Sequence, residues 1–301
     1  MAWQVIGISN PAQLSVKDHQ LVIKQDDTVS LPIEDIDALI LDSYGLTFTA
    51  NLITELSTSG TTVVICDEKH LPSSVILPYS QHSRGAKVSR QQLAMGATLK
   101  KQLWSRIIVQ KITNQADVLA KHHYDDAFLR KLASEVKSGD PTNRESQAAR
   151  AYFSALLDDA TRRKPMWHNA ALNYGYSMVR SHIARHIAAR GLIASQGIFH
   201  HSELNGFNLA DDIIEPYRAA VDDYVLSVVA LRHIGDADAS LTREDRQLIV
   251  DVLNMPIILQ GKQFTLKHAV ERTIESFIQA IQDDTPASLL LPDIKIGNSP
   301  L

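Results

Sequence analysis

Leu71-Pro72-Ser73-Ser74-Val75-Ile76-Leu77-Pro78-Tyr79-Ser80-Gln81-His82-Ser83 divides the chain into two kinds of sequence. Its prolines mark a linker. Before it, short runs of alternating and β-branched residues dominate; after it, apolar residues recur at helical spacing. The reading is α+β: a small N-terminal β-strand domain (1–80), then a larger all-α C-terminal domain (81–285). The last residues, 286–301, carry Pro286, Pro292 and Pro300 and read as a flexible tail.

Upstream of the linker, 3–8 reads as a strand, and 14–17 and 20–24 as a hairpin turning at Asp18-His19. Asp26-Asp27 turns the chain again into 28–31. The runs 36–41 and 61–66 are more apolar, as buried strands are. Between them 49–59 can form a short helix stopped by Gly60. Downstream, 87–122 reads as one long helix, with further helices over 125–137, 141–159, 169–190, 211–234, 242–253 and 265–282.

The composition sets limits. The chain has 301 residues, 45% hydrophobic and 21% charged, which fits a folded protein and excludes general disorder. Cys66 is the single cysteine, so neither an intramolecular disulfide framework nor a zinc ribbon is available. No stretch approaches ~18 apolar residues, and the first residues lack a basic segment followed by an apolar one. An intracellular, cytoplasmic protein with no membrane role is expected. The formal net charge of -4 hides a split. Residues 1–79 hold three Lys/Arg against ten Asp/Glu, residues 80–137 eleven against four, and residues 144–190 eight against three. Basic helices attract phosphate backbones, although the same charges also suit plain solvated faces.

Three constellations could carry chemistry. In Asp140-Pro141-Thr142-Asn143-Arg144-Glu145, Asp140 suits an N-cap and Pro141 the first helical position. Thr142 and Glu145 match a capping box. Glu145 also shares a face with Ala149, Tyr152, Phe153 and Leu156, so it stands open as either a cap or an inward ligand. The second is Gly197-Ile198-Phe199-His200-His201 followed by Asp211-Asp212-Ile213-Ile214-Glu215. One imidazole with two carboxylates suits Mg²⁺ or Mn²⁺ better than structural zinc; the alternative is again a helix cap. The third is His182-x-x-x-His186. It has zinc spacing but no Glu after the first His and no third ligand, so a polar DNA-facing or solvated surface is the stronger reading. Cys66 reads as core. The phosphate-loop, nucleophile-elbow and dinucleotide-binding fingerprints are absent from the sequence.

Taken together, these segments resemble the CRISPR-associated integrase of spacer acquisition, the first of the two core adaptation proteins, most closely in its type II form. The resemblance runs over nearly the whole chain. It includes the Trp3 strand, Cys66-Asp67-Glu68-Lys69-His70-Leu71-Pro72, and Gln102-Leu103-Trp104 through Gln110-Lys111-Ile112-x-Asn114-Gln115. It continues in Asp140-Pro141-x-Asn143-Arg144-Glu145, Leu172-Asn173-Tyr174-Gly175-Tyr176, and Phe207-Asn208-Leu209-Ala210-x-Asp212-Ile213-Ile214-Glu215-Pro216-Tyr217-Arg218.

The resemblance implies a metal-dependent DNA endonuclease and integrase that inserts foreign DNA as spacers in antiviral defence. It places the metal ligands and catalytic residues at Glu145, His200 and Glu215. His200 is preferred to His201 because the family histidine stands fifteen residues before the last carboxylate. Asp212 is implied as a further ligand or a residue behind the ligands, and Asn143 is a candidate for the same. Mg²⁺ or Mn²⁺ is the expected cofactor. The expected partners are double-stranded DNA (prespacer fragments and the CRISPR repeat), a second copy through the β domain, a dimer of the small second adaptation protein, and the type II effector nuclease. Arg84, Lys87, Arg90, Arg144, Arg180 and Arg185 are the candidate DNA contacts. Two competing expectations are a non-catalytic DNA-binding scaffold of the same fold and a Mg²⁺-dependent prenyl-diphosphate enzyme using Asp211-Asp212-x-x-Glu215.

Overall fold

The computed structural model of the chain describes residues 4–79, 83–156, 167–229 and 241–294. The N-terminal part holds β1 (Gln4–Ile8), β2 (Ala12–Lys17), β3 (Gln20–Lys24), β4 (Thr28–Pro32), β5 (Ile36–Leu41), β6 (Leu46–Phe48), α1 (Ala50–Ser59), β7 (Thr62–Cys66) and β8 (Pro72–Ile76). These strands form two sheets, ordered β1-β5-β7-β8 and β4-β3-β2-β6. The expected hairpin is β2–β3, and Asp18 and His19 turn it with φ of 51° and 58°.

Alternation along β5 explains how this part joins the rest. Leu39 and Leu41 pack into a core with Leu14, Leu21, Leu52 and Leu56. Ala38 and Ile40 point the other way, with Val64 and Cys66, into the core of the helices. A sheet covered on both faces has no polar side, which is why these strands read as continuous apolar runs. Thr49 caps α1 by accepting from Leu52 N, and Gly60 stops it at φ 90°. A Cβ at Gly60 would lie 2.7 Å from Arg185 Nη2, so glycine also admits the helical part there.

The helical part comprises α2 (Gly85–Leu93), α3 (Ala97–Lys121), α4 (Ala127–Ser134), α5 (Arg144–Leu156), α6 (Trp167–Ala189), α7 (Asn208–Ile214), α8 (Arg218–Tyr224), α9 (Arg243–Val250) and α10 (Leu266–Gln282). Polar contacts tie it to the sheets. Arg246 Nε donates to Asp42 at 3.0 Å, His70 Nδ1 lies 2.7 Å from the same carboxylate, and His182 Nδ1 lies 3.1 Å from Thr62 Oγ1. His70 takes φ 59° in a turn whose Lys69 and Leu71 amides donate to Asp67. The Cys66–Pro72 segment thus acts as a strap between the two parts.

Five expectations need correction. The linker is partly strand: β8 pairs antiparallel with β7 despite its opening proline, which an edge strand tolerates. The helix expected over 87–122 is two helices, broken before Gly96, whose extended ψ of 152° opens α3. The helix expected over 211–234 is interrupted by a 3₁₀ turn at Glu215–Tyr217, because Pro216 has no N–H to continue the ladder. The C-terminal part is not all-α; β9 (Pro256–Leu259) and β10 (Lys262–Thr265) form a hairpin turned by Gln260 and Gly261 at positive φ. Finally, the tail is packed as far as residue 294. Leu289 is fully buried, Ile258 and Asp293 exchange backbone bonds, and Arg106 Nη2 donates to Leu289 O. Proline-rich sequence hid those contacts. Trp3 and the ends of three other expected segments (157–159, 230–234 and 295–301) lie outside the described residues.

Candidate active site

Glu145 stands in the first turn of α5. The free N–H groups there are taken by other side chains. Asp140, at φ 46°, accepts from Arg144 N and Glu145 N, and Asn143, at φ 52°, accepts from Ser146 N. The Thr142–Glu145 capping box does not form, and Glu145 is left to point inward. Asn143 Oδ1 therefore serves as a helix cap. Glu145 Oε1 accepts from Lys111 Nζ at 2.6 Å.

Glu215 comes from the kink between α7 and α8. Its carboxylate lies 2.5 Å from the same Lys111 ammonium and accepts from Arg218 Nε at 2.9 Å. Asn114 holds the kink in place by donating to Pro216 O at 2.8 Å and to Pro292 O at 2.9 Å. Burial opposes the charge on Glu215, but Lys111 and Arg218 outweigh it and hold the carboxyl down to about 2. Burial equally opposes the ammonium, and the charges of Glu215 and Glu145 overcome it, so the Lys111 pKa is raised. Both groups are ionised at neutral pH.

His200 sits on the loop before α7, and Asp212 builds that loop. Asp212 Oδ2 accepts from Ile198 N at 2.5 Å and Phe199 N at 3.1 Å; Oδ1 accepts from His200 N at 3.1 Å and pairs with His200 Nδ1 at 2.8 Å. With both oxygens engaged and no exposure, Asp212 here orients the loop and the His200 ring. A proton on Nδ1 leaves the Nε2 lone pair outward. The hydrogen bond to Asp212, against a smaller effect of burial, raises the His200 pKa. His201 instead is exposed and bonds Phe199 O through Nδ1. A Cβ at Gly197 would lie 2.2 Å from His200 O, so only glycine admits this turn.

Among the described residues no three His, Cys, Asp or Glu side chains are drawn into one ligand sphere. Glu145 and Glu215 instead face one buried cation, the Lys111 ammonium. Two carboxylates already gathered about one positive charge, beside an imidazole with Nε2 outward, are a donor set that suits Mg²⁺ or Mn²⁺. The match is one of donor type; among the described residues the two carboxylates are held by Lys111 and not by a shared ligand sphere. Lys111 was missed by sequence reasoning. The available signal was its position in the stripe Leu103, Ile107, Lys111, Asn114 and Val118, which buries a cation among core residues of α3.

The remaining candidates separate. Arg84, Lys87 and Arg90 are exposed on or next to α2. Arg144 is paired with Glu135 at 2.8 Å and Arg180 with Asp211 at 2.5 Å. Arg185 is buried against Gly60, so it is not a DNA-facing residue. His182 and His186 are buried too, contrary to the solvated surface expected. Helix α6 is covered on several sides, and a charged-looking sequence concealed that. Asp211, Asp212 and Glu215 serve three different partner sets, which removes the acidic face a prenyl-diphosphate enzyme would need. Burial pushes the Cys66 thiol up to about 12, as a core cysteine requires. No described helix is long and apolar enough to cross a membrane.

A two-sheet β region followed by helices that assemble carboxylates around a buried cation beside an imidazole describes a recognisable class of α+β protein. The family described as CRISPR associated protein Cas1 matches residues 6–252. A CRISPR-associated endonuclease Cas1 from Neisseria meningitidis serogroup C is 40% identical over 298 residues, covering 98% of this chain and 97% of that one. Two solved structures share the fold. A casposase bound to integration product has a TM-score of 0.77 at 18% identity, covering 95% of this chain and 92% of that one. A Cas6-RT-Cas1–Cas2 complex has a TM-score of 0.73 at 19% identity, covering 99% of this chain and 37% of that one. The chain belongs to the Cas1 family.

Proposed function

We propose that this chain is a metal-dependent DNA integrase that inserts DNA fragments as spacers into a CRISPR array. A terminal 3′-hydroxyl attacks a phosphodiester at the repeat boundary. One P–O bond forms, one breaks, and the displaced strand leaves with a 3′-hydroxyl, so no external energy is needed. With water as the nucleophile the same chemistry is endonucleolytic. The observation that carries the reading is the meeting of Glu145 and Glu215 around one cation, beside a histidine whose orientation Asp212 fixes.

Glu145, Glu215 and His200 Nε2 would hold Mg²⁺ or Mn²⁺, which when bound polarises the scissile phosphate and favours ionisation of the attacking hydroxyl. Asp212 keeps the imidazole in the tautomer that ligation requires. Arg218 keeps Glu215 ionised. Arg84, Lys87 and Arg90 would grip DNA backbones without reading sequence, giving an affinity that falls steeply with salt. The acidic β region would avoid DNA and pair two copies of the chain. A dimer of the second adaptation protein would bridge two such pairs, and the type II effector nuclease would be a further partner. The named Cas1–Cas2 complex supports the bridging partner.

The test is strand transfer of a labelled duplex into a supercoiled plasmid bearing a repeat, with and without the small partner, in Mg²⁺, Mn²⁺ or EDTA. Metal-dependent joining, lost in Glu145→Ala, His200→Ala and Glu215→Ala with folding retained, supports the reading. Joining that survives all three removes the ligand assignment. Salt-sensitive DNA binding with no joining in any metal favours the non-catalytic scaffold.

A further inference from the structure

The Phe199 ring lies flat on Trp104, with centroids 4.3 Å apart and planes inclined by 3°. Trp104 belongs to α3 and is 1% exposed, whereas Phe199 remains 47% exposed. One face of the Phe199 ring is therefore seated on a rigid support, and the other is open. A single exposed ring is ordinary on a protein surface; what sets Phe199 apart is that its buried face is fixed on Trp104 while its open face lines the cavity that holds His200.

The platform is also held beside the chemistry. Asp212, which aims His200, accepts from the Phe199 amide as well. The His200 ring stands edge-on to Phe199, with centroids 5.7 Å apart and planes inclined by 84°. Both rings line an open cavity of about 500 Å³ that also takes in Lys100, Ser202 and Asn205. A flat apolar face next to a cation and polar side chains has the recognition chemistry of a nucleotide: a ring to stack and a phosphate to pair.

We infer that the open face of Phe199 stacks the nucleobase of the terminal nucleotide whose sugar carries the reacting hydroxyl, with Lys100 on its phosphate. The inference rests on the proposed integrase reading and adds a stacking subsite that orients the DNA end. Stacking accepts any base, so the subsite positions without selecting sequence. Register is thereby set from the ring beside His200.

The test uses duplexes with 2-aminopurine at the 3′-terminal position or five nucleotides inward, in Mn²⁺. Wild-type protein is expected to change the fluorescence of the terminal probe and not of the inner one. Phe199→Leu, which keeps Trp104 covered but removes the aromatic face, is expected to lose that change. It should also weaken DNA-end binding by roughly tenfold or more. Phe199→Trp should restore both, and Mn²⁺ affinity should be the same in all three proteins. A terminal signal unchanged in Phe199→Leu overturns the subsite while leaving the integrase reading intact. An Mn²⁺ affinity that falls with the signal also overturns it, by making Phe199 a structural prop for His200. Wild-type protein that neither binds DNA ends nor joins them overturns the integrase reading and the subsite together.

Discussion

The Lys111 ammonium lies 2.5 Å from the Glu215 carboxylate, deep between α3 and the kink at Pro216. It also bonds Glu145, so one side-chain cation neutralises two carboxylates brought from distant parts of the chain. Without it, the buried Glu215 and the partly buried Glu145 would be left with only Arg218 to compensate. Lys111 thus assembles the carboxylate pair, and it is the charge that the proposed divalent ion would share or displace.

Lys111→Met follows directly. Removing one partner of a buried ion pair costs on the order of 3–5 kcal/mol, because the remaining charge stays desolvated. In EDTA the variant should melt well below the wild type. Added Mn²⁺ should raise its melting temperature more than that of the wild type, since the ion replaces the lost charge without competition. Thermal unfolding of both proteins with and without Mn²⁺ checks this; equal Mn²⁺-induced shifts would show that Lys111 does not oppose the ion.

Asp212→Asn separates orientation from charge. The wild-type His200 pKa is raised, and only neutral imidazole ligates. Mn²⁺ affinity should therefore fall as pH drops, with its midpoint above the ordinary imidazole value of about 6.5. An amide removes the negative charge that stabilises the imidazolium, so the midpoint should move down in the variant. The lost anchor should weaken binding at pH 8 by roughly 10–100-fold. A Mn²⁺ titration by paramagnetic resonance across pH 5.5–8.5, on the order of half a unit per step, reads the two opposite effects separately.

How far the sequence carried can be judged at these residues. Strand alternation and the Gly60 stop were legible because they depend on neighbours along the chain. Motif resemblance singled out Glu145, His200 and Glu215, and the structure gathers the two carboxylates at Lys111. Lys111 itself was not legible, because a lysine in a basic helix looks solvated until its stripe is matched to packing partners. His182, Arg185 and His186 misled for the same reason. Their helix is enclosed by sheet and helix contacts made by residues far away in sequence. Pro216 did announce its break, but only the structure shows that the break aims Glu215, and that Asn114 anchors both it and the C-terminal segment.

The buried histidines of α6 predict an acid limit on stability. His182 pairs with Thr62, and Arg190 donates to Nδ1 of His186. Burial depresses both pKa values, with Arg185 and Arg190 adding to the effect on His186. The unfolded chain then binds protons first, so stability present above about 6.5 is lost as pH falls below it. Glu215 acts only lower, below its ordinary 4.5, and His200 runs the opposite way. His186→Gln keeps an acceptor for Arg190 but does not titrate. It should lose less stability than the wild type between pH 7.5 and 5, as read by urea unfolding at the two pH values.

Gly197→Ala is the sharpest probe of the turn that presents His200. Its Cβ would fall 2.2 Å from His200 O and 2.7 Å from Asp212 Oδ2, too close for either to remain. The backbone must open, and the amides of Ile198, Phe199 and His200 lose their shared acceptor. Because the turn is surface loop, the helices beneath should stay folded while the imidazole loses its aim. Gly96→Ala is the matched control: Gly96 precedes α3 in extended conformation, and nothing lies within 4 Å of where its Cβ would stand. The expected result is an unchanged circular dichroism spectrum for both variants, loss of Mn²⁺ binding and strand transfer in Gly197→Ala, and wild-type behaviour in Gly96→Ala. Full activity in Gly197→Ala would mean that the loop adapts, and that Asp212 does not need all three amides to place His200.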